Sequence, residues 1–104
     1  MKKIYQKLVR DRIPEIIAEA GKDFSIRIAD KNELLDYALK KLQEETQEFI
    51  ESPSPEEAGD IIEILHFICD HKNIRKSEVI AEATAKHVSR GGFSKSIILE
   101  WVED

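Results

Sequence analysis

The sequence contains very little cysteine, glycine and proline. Its single cysteine, Cys69, excludes an internal disulfide framework and any cysteine-rich zinc site. Four glycines and three prolines in 104 residues, with 41% hydrophobic side chains, argue against disorder and low complexity. No stretch approaches the ~20 apolar residues of a membrane span, and the first residues lack the apolar core of a signal peptide. We therefore expect one cytoplasmic domain covering residues 1–104.

Basic side chains are absent from the middle of the chain. Residues 1–12 carry five Lys or Arg against one Asp, whereas residues 42–63 hold eight acids without a Lys or Arg. These acids are Glu44, Glu45, Glu48, Glu51, Glu56, Glu57, Asp60 and Glu63. An acidic middle repels a nucleic-acid backbone, so the pattern argues against general DNA or RNA binding. It favours binding of a cation instead.

Long apolar periodicities predict an all-α fold, a helical bundle with four helical segments. The predicted helices cover about residues 14–20, 31–51, 55–71 and 77–90. Asp30 and Ser54 stand where helix N-caps are expected, and Gly91 stands after the last helix. The very short connection after residue 51 predicts an antiparallel hairpin of the two long helices. Residues 24–29 alternate with period two and could form a short β-ribbon with residues 96–99.

Four carboxylates lie at or beside the apolar stripes of the two long helices. The stripes consist of Leu35, Ala38, Leu42 and Phe49 on one helix and Ile61, Ile64, Leu65 and Ile68 on the other. At ~100° per residue, Glu45 falls at the edge of the first stripe with Glu48 on its flank. Glu57 lies in line with the second stripe and Asp60 on its flank, whereas Glu44 lies almost opposite the first stripe.

The hairpin can bring these two i, i+3 pairs of acids together. Four desolvated carboxylates require a positive partner, and oxygen ligands suit Mg²⁺ or, as an alternative, Mn²⁺. We therefore predict a metal site formed by Glu45, Glu48, Glu57 and Asp60. For Glu57 a second interpretation stays open, because it could complete a capping box with Ser54.

Two parts of the sequence resemble a known enzyme family. Glu44-Glu45-Thr46-Gln47-Glu48, followed by Glu57-Ala58-Gly59-Asp60, resembles the EExxE…ExxD signature of the MazG-like all-α nucleoside triphosphate pyrophosphohydrolases. Lys7-Leu8-Val9-Arg10-Asp11-Arg12-Ile13-Pro14 and Arg90-Gly91-Gly92-Phe93 are similar to the ends of small single-domain members. Phosphoribosyl-ATP pyrophosphohydrolase and the all-α dUTPases are related to this family. The interval of eight residues between Glu48 and Glu57 is shorter than in the usual signature.

The resemblance implies Mg²⁺-dependent hydrolysis of a nucleoside triphosphate, or of a related nucleotide such as phosphoribosyl-ATP, to the monophosphate and pyrophosphate. It also implies a homodimer or homotetramer and a role in cleansing the nucleotide pool. Basic side chains must contact the phosphates that the metal does not neutralise. The candidates are Lys7, Arg10, Arg12, Lys86 and Arg90. Alternatively, Arg10 and Arg12 pair with nearby acids, and Lys86 and Arg90 lie at a solvated helix end where their charges suit the helix dipole.

Two other classes of protein remain as alternatives. Glu63 and His66 have the Glu-x-x-His spacing of ferritin-like di-metal carboxylate proteins. They lie ~140–160° from the centre of the apolar stripe, which predicts that both face solvent. The second alternative is a non-catalytic helical interaction module whose acids form only a charged face. Metal binding that depends on Glu45 and Asp60 would separate the enzyme from this module.

Overall fold

The structure is a computed structural model that describes residues 1–104. It contains four α-helices and no strand, which confirms the predicted all-α class. The helices are α1 (Ile13–Glu19), α2 (Lys31–Glu51), α3 (Pro55–His71) and α4 (Lys76–Arg90). The chain divides into two compact units, Met1–Asn73 and Ile74–Asp104. None of the helices combines the length and apolarity that a membrane span requires.

The predicted β-ribbon is wrong, because neither residues 24–29 nor residues 96–99 form a strand. A two-stranded ribbon is marginal in water unless it packs an apolar face against another element. Ile28 is 86% exposed and Ile98 is 83% exposed, so these segments bury no such face. Arg27 instead pairs with Glu33 and donates a hydrogen bond of 3.2 Å to the Tyr37 hydroxyl. The alternation of apolar residues therefore does not produce pairing here.

The first unit is built around the hairpin of α2 and α3. Residues 52–54 connect the two helices, which pack against each other along their length. The Asp30 carboxylate accepts hydrogen bonds from the backbone N–H groups of Asn32 and Glu33, and it thereby caps α2 as predicted. The Ser54 hydroxyl likewise accepts from the Glu57 N–H at 3.1 Å and caps α3.

The hairpin interface buries few side chains completely. Ala38, Ile64 and Cys69 are its buried apolar residues, and Glu45 is buried with them. Of the other predicted stripe residues, those that are half-buried are Leu35, Leu42, Phe49, Ile61 and Ile68. Leu65 was predicted to face inward, but 38% of its surface is exposed. Two helices alone cannot cover a stripe as wide as this one, which leaves its edge in contact with solvent.

Helix α1 is short and ends at a glycine. Gly21 has a φ of +75°, a left-handed conformation that side chains with a Cβ rarely adopt. Its N–H donates to the Ala18 carbonyl, and the Lys22 N–H donates to the Ile17 carbonyl. This pair of hydrogen bonds is a Schellman motif, which satisfies carbonyls that the helix end would leave unpaired.

The second unit consists of α4 and the irregular segment that follows it. Helix α4 begins one residue before the predicted start and ends at Gly91, whose φ is +83°. It contains no buried residue. The segment after it exposes large apolar side chains, among them Phe93 at 98% and Trp101 at 76%.

The hydroxyl of Ser54 allows a test of how α3 begins. Replacing Ser54 with alanine should destabilise the first unit by about 1 kcal/mol and lower its melting temperature by roughly 4–8 °C. The reason is that the Glu57 N–H loses its acceptor. Thermal melting followed by circular dichroism measures the change. Ser52→Ala is the matched control in the same connection, and an equal loss in both variants would contradict the capping role.

Candidate metal centre

The structure brings together the four carboxylates of the predicted metal site. Glu45 and Glu48 lie on α2, and Glu57 and Asp60 lie on α3. Residues three apart on a helix are neighbours on one face, and the hairpin turns these two faces toward each other. Each of the four residues contributes one carboxylate oxygen, and these four oxygens all lie within 4.8 Å of one another. We call these four residues the acid cluster.

Two oxygens of the acid cluster are buried without a hydrogen-bond partner. They are Oε2 of Glu45 and Oε2 of Glu57. Glu45 as a whole is only 6% exposed. A buried acceptor that lacks a partner costs about 1–3 kcal/mol, and more when it is charged. The acid cluster is therefore short of positive charge and of hydrogen-bond donors, and its set of oxygen ligands is the one that a hard divalent cation prefers.

Burial also changes the acidity of Glu45. Desolvation raises the pKa of its carboxyl above the ordinary value, and the neighbouring Glu48 acts in the same direction. Lys41 opposes both effects but does not cancel them. A bound cation would favour the ionised carboxylate and so reverse the shift.

Lys41, which was not among the predicted site residues, also contributes to the electrostatics of the site. Its Nζ lies 3.1 Å from Oε1 of Glu45 and 3.6 Å from Oε1 of Glu44. Lys41 precedes Glu44 by three residues and Glu45 by four, and this spacing on a helix predicts an ion pair. Lys41 fixes one oxygen of Glu45 and leaves the other oxygen without a partner.

The basic N-terminal segment, residues 1–12, contacts both helices of the hairpin. Nη2 of Arg10 lies 2.7 Å from Oδ1 of Asp60 on α3. Nζ of Lys7 lies 3.0 Å from Oε1 of Glu44 on α2. Arg12 points elsewhere, since its Nε lies 3.0 Å from Oε2 of Glu15 in α1. The three N-terminal candidates for phosphate ligands, Lys7, Arg10 and Arg12, thus each pair with an acid.

The helical phase of Glu44 predicts that it either faces solvent or supports the metal ligands from behind. It is half-buried and pairs with both Lys7 and Lys41. Burial alone would raise the pKa of its carboxyl, but the hydrogen bond from Lys7 and the charge of Lys41 outweigh burial and lower the pKa. Glu44 therefore remains ionised and anchors the N-terminal segment to α2.

The other two candidate phosphate ligands, Lys86 and Arg90, belong to the second unit. They line a shallow surface groove of α4 and the segment after it, together with Ala83, His87, Gly91, Gly92 and Phe93. None of the ion pairs of the chain includes either side chain. Both cations are therefore available to an anionic ligand.

Glu63 and His66 take no part in the acid cluster. The Glu63 side chain is 66% exposed and its Oε1 lies 4.0 Å from Nη1 of Arg10. His66, expected to face solvent, is half-buried. The Glu-x-x-His spacing on α3 therefore does not supply a ligand pair to the group of acids that could hold a metal.

Comparisons with known proteins add nothing to this description of the site. No family model, no curated protein and no solved structure matches the chain. The residues of the site and the resemblance of their sequence motifs are therefore the observations that indicate a function.

Proposed function

We propose that this protein is a metal-dependent phosphohydrolase whose acid cluster holds Mg²⁺, with Mn²⁺ as an alternative ion. The observation that carries the proposal is the state of Glu45. This carboxylate is buried in the hairpin interface, and its Oε2 has no partner within the chain. Burying a charge is unfavourable unless another charge compensates it, and three further carboxylates stand beside it.

Within this class we propose a nucleoside triphosphate pyrophosphohydrolase of the MazG-like kind. The order of the acidic motifs and the basic motifs at both ends supports it. The products are a nucleoside monophosphate and pyrophosphate, and the substrate is a nucleoside triphosphate or a related nucleotide such as phosphoribosyl-ATP. We further propose that the enzyme acts in the cytoplasm, where it removes unwanted nucleotides from the pool.

The proposed reaction assigns a separate task to each group of side chains. Glu45, Glu48, Glu57 and Asp60 would hold Mg²⁺, and Lys41 keeps Glu45 in place. When bound, the ion would supply positive charge at the phosphates and would activate water for in-line attack. Carboxylates alone would repel a triphosphate, so basic side chains would bind the remaining phosphate oxygens. The candidates are Lys7, Arg10, Arg12, Lys86 and Arg90.

Pyrophosphate release tests the proposal directly. A panel of common and damaged nucleoside triphosphates, with phosphoribosyl-ATP, is incubated with the protein and Mg²⁺. We expect at least one nucleotide to yield its monophosphate and pyrophosphate, and EDTA to abolish the reaction. If no nucleotide is hydrolysed and no metal binds, the chain is a helical interaction module.

We also propose that the active form is a homodimer or homotetramer. Only three apolar residues of the chain are buried. Large apolar side chains remain exposed on both long helices, namely Leu39, Ile50, Ile62, Leu65 and Phe67. Leu39 and Ile50 lie on one face of α2, and Ile62 and Leu65 lie on one face of α3. Exposed apolar faces of this kind are covered when helices associate.

The expected result of sedimentation at micromolar concentration is a species of at least twice the 12.0 kDa mass of the chain. The physical reason is the burial of apolar surface between copies. Raising the concentration should not change the dominant species once assembly is complete. A single 12.0 kDa species at these concentrations would contradict the proposal.

A further inference from the structure

The N-terminal segment supplies the acid cluster with a cation from outside the hairpin. Arg10 lies 50 residues before Asp60 in sequence, yet their charged groups are 2.7 Å apart. Ion pairs reach only two of the four carboxylates of the cluster, Glu45 through Lys41 and Asp60 through Arg10. Without Arg10, three of the four carboxylates would lack a positive partner.

The contact of Arg10 is less permanent than that of Lys41. The Arg10 side chain is 55% exposed, whereas the Lys41 side chain is 18% exposed. An exposed ion pair is weak because water and salt compete with it. Arg10 also extends from an irregular segment, whereas Lys41 is held on α2 beside its partner. Of the two cations, Arg10 is the one that can leave.

A guanidinium at Asp60 and a divalent cation in the same cluster repel each other. Both require the negative charge of Asp60, and like charges this close disfavour simultaneous binding. A triphosphate changes this balance, because its oxygens offer a guanidinium two parallel hydrogen bonds. Within the cluster, Arg10 therefore has Asp60 as its partner in the metal-free protein, with Glu63 more distant at 4.0 Å, and it has the triphosphate as its partner when metal and triphosphate are present.

We propose that Arg10 is an exchangeable counter-ion: it neutralises Asp60 in the metal-free protein and moves to the triphosphate when the metal binds. The inference rests on the proposed function, because it assumes that the acid cluster holds the metal. Arg10 then links the two binding events, since it opposes binding of the metal alone and favours binding of the triphosphate. Lys7 keeps the segment on α2 through Glu44, so Arg10 remains near the site after it leaves Asp60.

The test measures metal and triphosphate binding separately in the Arg10→Gln variant. The probes are Mn²⁺ alone, followed by electron paramagnetic resonance, and inorganic tripolyphosphate at saturating Mn²⁺, followed by calorimetry. We expect the variant to bind Mn²⁺ about three- to tenfold more tightly, since a repelling charge is gone. It should bind tripolyphosphate about tenfold more weakly, since a charged hydrogen-bond donor is gone.

Two variants control for the charge and for the segment. Arg12→Gln removes the same charge two residues further along, but Arg12 pairs with Glu15 rather than with the acid cluster. We expect its Mn²⁺ affinity to stay within about twofold of wild type, because an exposed charge outside the cluster is well screened. Arg10→Lys keeps the positive charge and should retain the wild-type Mn²⁺ affinity.

The proposal requires both opposite shifts in Arg10→Gln, and any other combination overturns it. Weaker Mn²⁺ binding would make Arg10 a positioning residue that orients Asp60 for the metal. Unchanged binding of both probes would mean that Arg10 only holds the N-terminal segment. If wild-type protein binds Mn²⁺ no better than Glu45→Gln does, the proposed metal site itself is wrong, and the exchange fails with it.

Discussion

Replacing Glu45 with glutamine should reduce metal-dependent nucleotide hydrolysis by more than about 100-fold, because losing a residue that merely orients a metal ligand already costs ~10–100-fold. Glutamine keeps the shape of the side chain but removes the negative charge that holds the ion. Glu48→Gln and Asp60→Asn should show losses of the same kind. Pyrophosphate release at saturating Mg²⁺ measures the effect, with circular dichroism to verify that helicity is unchanged.

The stability of the same variant should change in the opposite direction. A carboxyl whose pKa is raised by folding adds stability while it is protonated, and this stability is lost as the pH rises through the raised pKa. Ionised Glu45 therefore opposes folding at neutral pH. Without metal, Glu45→Gln should melt at a higher temperature than wild type at about pH 7, and the difference should shrink toward about pH 4.

Glu51→Gln is the matched control on the same helix. Glu51 is exposed at the end of α2, outside the acid cluster, and its Oε1 accepts a hydrogen bond from Gln47. Its replacement should leave both turnover and melting temperature close to wild type. Near-wild-type turnover in Glu45→Gln would exclude the proposed metal site, and equal losses in both variants would show a general effect of charge.

The helices could be predicted from the sequence because their start signals are local. Asp30 and Ser54 accept the backbone hydrogen bonds that capping residues are expected to accept. The short connection of residues 52–54 then determined how the two long helices pair. Position along a helix and the pairing of helices together suffice to place four acids near one point. The convergence of the acid cluster was therefore accessible without coordinates.

Contacts between distant residues and the burial of single residues could not be predicted in the same way. Arg10 reaches Asp60 across 50 residues, and nothing local to either residue indicates that choice of partner. The β-ribbon was an error of the same origin, because alternation describes one segment but not whether a partner or a cover exists for it. The exposure of Leu65 depends on how much of the surface of α3 is covered by α2. Helical phase alone does not predict that coverage.

The second large effect that we expect concerns Arg90. Replacing Arg90 with alanine should weaken binding of a non-hydrolysable triphosphate by ~10–100-fold, since a hydrogen bond to a charged group contributes ~1.5–3 kcal/mol. The variant alone should melt like wild type, because Arg90 is exposed and has no ion-pair partner in the chain. Thermal melting with and without the triphosphate and Mg²⁺ measures both quantities. Lys86→Gln should behave in the same way.

Lys76→Gln is the matched control, because Lys76 is an exposed cation at the opposite end of α4. The melting temperature of the Lys76→Gln variant, and the rise in melting temperature that the ligand produces, should both equal those of wild type. The contrary outcome for Arg90→Ala is a lower melting temperature with the full ligand-induced rise. In that case Arg90 stabilises the end of α4 by interacting with the helix dipole. The phosphates would then have to be bound by Lys7, Arg10, Arg12 or a second copy of the chain, because the acid cluster cannot attract a triphosphate without basic side chains.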